Sequence, residues 1–308
     1  MNDGPFAPAN FFDITWEDTI FYGVTPTPTE SVKKFPLMAF MHGTTGCWSM
    51  YEPILNHYAT HGFLVVFPHI KGPTKDRLPL TTNTDGEYLL KAIEFATAAN
   101  ADETSALYNQ VDVDNIIIAG HSMGATCSIM ASKRYTGTTK LTVTQHPGIC
   151  GPFGPPPKPA TWDKEDLLEV THKNPVLFMT ATNDGAFWPK PLTAKHELGC
   201  FNGAIDDQST AIFAEFNSES CAEDKQRKPA WPDSGHMCPF KVDNGGAPEN
   251  NWVLAASKLY THMGGAKDSK CYSLIWGNET DSLRNSSTLE NHVISNPELT
   301  EEVELYVQ

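Results

Sequence analysis

Positive charge is scarce in this 308-residue chain. Lys and Arg number 22 against 37 Asp and Glu, a net charge of −15 with His neutral. So acidic a chain has little to exchange for the counterions around a phosphate backbone, and no nucleic-acid partner is expected. An anionic membrane surface is disfavoured for the same reason. No apolar run reaches the roughly 20 residues that span a bilayer, so no integral membrane association is expected. The seven cysteines, Cys47, Cys127, Cys150, Cys200, Cys221, Cys238 and Cys271, include no C-x-x-C pair. Structural zinc and thioredoxin-like chemistry therefore have no support. The first ten residues lack the basic start and apolar stretch of a secretory signal. What the chain does have is 40% hydrophobic and 10% aromatic residues, enough for a sizeable core.

Two expectations for location follow. The chain is either cytosolic or the mature form of a secreted protein with an added Met. The second is preferred, because seven cysteines and sequons at Asn278 and Asn285 suit an oxidising compartment. The odd cysteine count leaves at least one thiol without a partner inside the chain.

Short apolar runs alternate with helical patterns, the signature of a mostly parallel sheet with crossover helices. Strands are expected at 36–41, 63–67, 115–119, 141–144, 176–180 and 210–216. Helices are expected near 49–61, 85–99, 123–134, 163–171, 191–199 and 250–263. The first 25 residues are expected to hold one or two antiparallel edge strands, for example Thr19 to Val24. The Pro- and Gly-rich segment 151–161 reads as a loop or cleft wall. The acidic, polar tail from 281 onward has no clear place in the sheet. We expect one domain over 1–308, with a core of about 17–265 and an extension over 266–308.

Gly120-His121-Ser122-Met123-Gly124 fits the G-x-S-x-G pattern, with apolar Ile116-Ile117-Ile118 before it and a helical stretch after it. Such a turn exposes the Ser hydroxyl, and glycines at its flanks let strand and helix pass closely. The helix start adds unpaired N–H groups and positive potential. Acyl transfer also needs two donors for the oxyanion. One would be the backbone N–H of Met123. The other would come from His42-Gly43-Thr44-Thr45-Gly46, through the N–H of Thr44 or, alternatively, Thr45. His42 comes too early in the chain to be the catalytic base and is expected to pack under that loop. His57 and His61 have the i, i+4 spacing of a zinc helix. Tyr58, however, occupies the place of the Glu that H-E-x-x-H requires, so no metal is expected.

The stretch from His42 through His69, the Ser122 turn and the spacing between them resemble the α/β-hydrolase superfamily. More narrowly they are similar to the branch of cutinases and polyester hydrolases, chlorophyllases and dienelactone-hydrolase-like esterases. The phrase Tyr58-Ala59-Thr60-His61-Gly62-Phe63-Leu64-Val65-Val66 looks like that branch's helix and following strand. The resemblance covers about 17–240. It implies an α/β-hydrolase fold, a mostly parallel central sheet flanked by helices, and a triad in the order Ser, acid, His. Asp184 then stands where the superfamily carries its acid, with Asp206 and Asp207 as rivals. His236, in Ser234-Gly235-His236-Met237, stands where it carries its base.

The resemblance implies a cofactor-free carboxylic ester hydrolase, expected to be a monomer, acting on a neutral ester, small or polymeric. Thr45, Trp48, His146, Phe187 and Trp188 are candidates for binding it, with Met123, Thr44 and Phe153 beside them. Specialised polyester (PET) or chlorophyll hydrolysis is the alternative. Polyester hydrolases usually have an aromatic residue where Thr44 stands and Trp near Gln145-His146. Chlorophyllases usually have Arg where Met123 stands. A non-catalytic hydrolase-fold binding protein is the rival from another class. A bridge from Cys238 to Cys200 or Cys221 would tie down the base loop.

Overall fold

The computed structural model describes residues 6, 10–44, 46–60, 62–69, 86–137, 139–146, 176–181, 211–216, 291–294 and 303–307. The chain divides into two compact units, Met1–Val143 and Thr144–Gln308. The first opens on a hairpin of β1 (Asn10–Trp16) and β2 (Thr19–Thr25), paired antiparallel from Asn10↔Thr25 to Trp16↔Thr19. β3 (Phe35–Met41), β4 (Leu64–His69), β5 (Val111–His121) and β6 (Thr139–Gln145) extend the sheet in the order β1-β2-β4-β3-β5-β6. β2 pairs antiparallel with β4, and β3 pairs parallel with both β4 and β5. The parallel centre is present as expected, and so is the antiparallel strand at 19–24, but that strand is paired on both sides and the edge is β1.

Helices α1 (Trp48–Thr60), α2 (Glu87–Ala101) and α3 (Met123–Arg134) follow β3, β4 and β5 respectively. In a strand covered on both faces, alternate residues serve opposite helices. Leu37, Ala39 and Met41 join the cluster that holds Leu89, Ala92, Ile93, Phe95, Ala96 and Ala99 of α2. Phe40, between them, packs its ring on Tyr51 of α1, with centroids 5.6 Å apart. The α2 residues recur every three or four positions, so its apolar stripe faces the sheet. Phe21 of β2 stacks on Phe95 at 4.6 Å and 4°. α3 is stitched to β6 by polar contacts: Ser128 Oγ donates to the Val143 carbonyl, and Ser132 Oγ lies 2.7 Å from Thr142 Oγ1.

The second unit contains β7 (Val176–Ala181), β8 (Ala211–Phe216), β9 (Asn291–Ile294) and β10 (Val303–Val307). β7 and β8 are parallel; β10 runs antiparallel to β8 and to β9. This corrects the reading of the tail, whose β10 pairs with both β8 and β9. The expected helices near 163–171, 191–199 and 250–263, and the 151–161 loop, lie outside the described residues.

Candidate functional site

Two loops meet at the C-terminal ends of the adjacent parallel strands β3 and β5. This is where open α/β sheets form their ligand crevices. Met41 pairs with Gly120 at the last rung, so both loops leave the sheet at one level. From β3 comes His42-Gly43-Thr44, and from β5 comes Ser122, immediately before α3.

Ser122 has φ 55° and ψ −117°, a backbone conformation that non-glycine residues rarely adopt. Holding a side chain there costs on the order of 1–3 kcal/mol, which the surrounding structure must supply. The flanking glycines explain how. A Cβ on Gly120 would overlap the backbone of Gly124. A Cβ on Gly124 would overlap the Met41 carbonyl and lie 2.6 Å from that of His42. Strand and helix therefore pass backbone against backbone, as the G-x-S-x-G reading requires. The Ser122 carbonyl accepts from the N–H groups of Ala125 and Thr126 at 3.1 and 3.2 Å. The N–H of Met123, the first residue of the helix, has no acceptor one turn back.

Gly43 brings the β3 loop against this turn. Its Cα is so placed that an added Cβ would lie 2.9 Å from Ser122 Cβ and 3.0 Å from His121 Nδ1. Both polar groups of Gly43 are held. Its N–H donates to Tyr51 Oη at 2.8 Å. Its carbonyl lies 2.7 Å from His42 Nδ1 and accepts from Gly46 N–H at 3.0 Å. In a trans peptide the carbonyl of one residue and the N–H of the next lie antiparallel in one plane. Fixing the Gly43 carbonyl thus fixes the direction of Thr44 N–H.

Residues 6–148 match a family model described as PET hydrolase-like. Over that stretch the chain is similar to the PET hydrolase-like family, a cutinase-like branch of the α/β hydrolases. That similarity implies an esterase-type hydrolase. No curated protein matches the chain. The PET hydrolase-like stretch takes in Ser122 and the Gly43 loop and ends before Asp184 and His236.

The other expected site residues in the PET hydrolase-like stretch are distributed as follows. Thr44 is half-buried in the loop. Trp48 starts α1 and is nearly buried, its ring edge-on to Phe67 at 5.5 Å and beside Phe11 and Tyr22. Met123 packs partly against the core. His146, just after β6, is buried with φ 49°. Thr45, Phe153, Asp184, Phe187, Trp188 and His236 lie outside the described residues, as do Asp206, Asp207 and Cys150, Cys200, Cys221, Cys238 and Cys271. Cys47 is half-buried and Cys127 is buried in the core cluster. Among the described residues, no three of His, Cys, Asp and Glu come together to hold a metal ion.

His42 packs under the loop as expected. Burial holds its imidazole down at about 4, against the opposing pull of the Gly43 carbonyl. Neutral at pH 7, it carries its proton on Nδ1, the nitrogen that faces that carbonyl. The folded value lies below the ordinary 6.5, so the unfolded chain takes up the proton first. This contribution to stability is complete above pH 6.5 and is lost as pH falls towards 4. Between pH 6.5 and 5 the loss should be about 2 kcal/mol. Urea unfolding across that window should show a flatter pH dependence for His42→Asn than for the parent chain.

Two further residues were not expected to matter. Tyr51 Oη lies 2.9 Å from His121 Nδ1 as well as accepting from Gly43 N–H. His121 occupies a free position of the pentapeptide. Nothing in the spacing of Tyr51 marks a partner 70 residues away.

Proposed function

We propose that the chain is a serine carboxylic ester hydrolase. Ser122 attacks the ester carbonyl, and His236 removes its proton and returns it to the leaving alcohol. Asp184 orients the His236 imidazole and stabilises its charged form. The N–H groups of Met123 and Thr44 hold the oxyanion. Water then attacks the acyl-enzyme by the same base. The observation that carries this reading is the strained backbone of Ser122 with the Gly43 loop set against it. For Asp184 and His236 the support is chain order and their place after expected strands.

The substrate is a neutral ester, since a net charge of −15 repels anionic polymers. The PET hydrolase-like match favours a second, narrower reading, hydrolysis of a polyester. Thr44, where relatives carry an aromatic ring, removes one stacking surface for a terephthalate unit. Short acyl esters are therefore the preferred substrates. A panel of p-nitrophenyl butyrate, p-nitrophenyl palmitate and an aromatic polyester film tests this. Fastest turnover of the butyrate is expected. Release of aromatic acid from the film at a comparable rate would favour the polyester reading, and no hydrolysis of any of them would overturn both.

A further inference from the structure

Tyr51 connects the two halves of the proposed oxyanion pocket. Its ring is wholly buried and wedged between Phe40, Phe67 and His121, with centroids 5.6, 5.8 and 5.9 Å away. That packing makes its hydroxyl a fixed point at the end of α1. A buried phenol needs partners. Two of them are telling: the N–H of Gly43, the residue before Thr44, and Nδ1 of His121, the residue before Ser122. Burial pushes the phenol well above its ordinary range, so it keeps its proton. The oxygen can therefore accept from Gly43 while its single proton is given to His121 Nδ1.

We propose that Tyr51 is a positioning residue for ester hydrolysis, setting the β3 loop at a fixed distance from the Ser122 turn through this two-way hydrogen bond. The proposal rests on the ester-hydrolase reading. Gly43 crowds both Ser122 Cβ and His121 Nδ1, so a small shift of the loop displaces Thr44 N–H relative to Ser122. A displacement of about 1 Å in such a site can cost on the order of 100-fold in rate. Without the hydroxyl, Gly43 N–H is buried without its acceptor, and the loop is free to move to find another.

The test is Tyr51→Phe, which removes the hydroxyl and keeps the ring. Per active site, counted by titration with a fluorophosphonate, kcat for p-nitrophenyl butyrate should fall about 10- to 100-fold with KM within about twofold. The inhibition constant of phenylboronic acid, which becomes a tetrahedral anion on the nucleophile, should rise by a similar factor. A purely structural tyrosine would lower the melting temperature and leave both per-site quantities unchanged. His121→Leu removes the acceptor at the other end of the link and should lower kcat in the same way. It decides the matter if Tyr51→Phe does not fold. A parent chain that hydrolyses the ester, with a folded variant of undiminished per-site kcat and boronate affinity, overturns the Tyr51 proposal alone. A parent chain inert to both ester and fluorophosphonate overturns the ester-hydrolase reading, and this proposal with it.

Discussion

Ser122→Ala should lower kcat for p-nitrophenyl butyrate on the order of 10⁶-fold, as loss of the nucleophile does when a triad works as a unit. The fold should be unaffected. Ser122 is 7% exposed, and the substitution removes one oxygen from a small side chain. The positive φ remains, because Ala meets the same steric conflict there as Ser. Melting temperature and circular dichroism should therefore match the parent while the rate collapses. His236→Ala should give a loss of similar size if it is the base, and combining it with Ser122→Ala should add little. Turnover of the Ser122→Ala protein within tenfold of the parent would exclude Ser122 as nucleophile.

The largest effect on stability is expected from Gly124→Ala. Its added Cβ meets main-chain carbonyl groups of Met41 and His42, at the end of β3, rather than the flexible tip of a side chain. Met41 is itself fixed by its pairing with Gly120 and is 1% exposed. Relief requires α3 to move away from β3, which opens the packing of both. Overpacking typically costs about 1–3 kcal/mol, and a clash with backbone on a central strand belongs at or above the top of that range. Urea unfolding should show a lower midpoint with little change in slope. A loss below about 1 kcal/mol would show that helix and strand are not locked as described. Because the same glycine sets the path of Ser122 into α3, hydrolysis should fall as well.

Much of the first unit was legible because its signals are local. Unbroken apolar runs such as Phe63-Leu64-Val65-Val66-Phe67 can only be buried on both faces. Gly120 and Gly124 bracket a turn whose crowding demands them. α3 falls at Met123–Arg134, where its pattern placed it. β5 is longer than its apolar run, starting at Val111 rather than 115. Val111-Asp112-Val113-Asp114 looks like an acidic turn. Asp112 does accept from Asp114 N–H and Asn115 Nδ2, at a point where the pairing with β3 shifts register after Pro36. A bulge of this kind depends on the partner strand and leaves no periodic trace.

The tail was missed for a related reason. In β10, Val303-Glu304-Leu305-Tyr306-Val307 is five residues long, and Glu304 sits opposite Glu215 of β8. Strand preference there comes from a neighbour some 90 residues upstream rather than from local composition. The Tyr51 link was hidden likewise. Its meaning lies in two hydrogen bonds made where β3 and β5 end, and neither Gly43 nor His121 announces a tyrosine partner. The Ser122 turn and its loop could be read because motif and geometry coincide. The acid and base rest on chain order and on their place after expected strands.

Whether Ser122 is the nucleophile is decided by the site of a covalent adduct. The parent chain is treated with a fluorophosphonate, its intact mass taken, and the modified peptide sequenced by tandem mass spectrometry. One adduct per chain is expected, located on Ser122 and absent from the Ser122→Ala protein. No adduct, or an adduct on any other residue, would rule out Ser122 as the nucleophile.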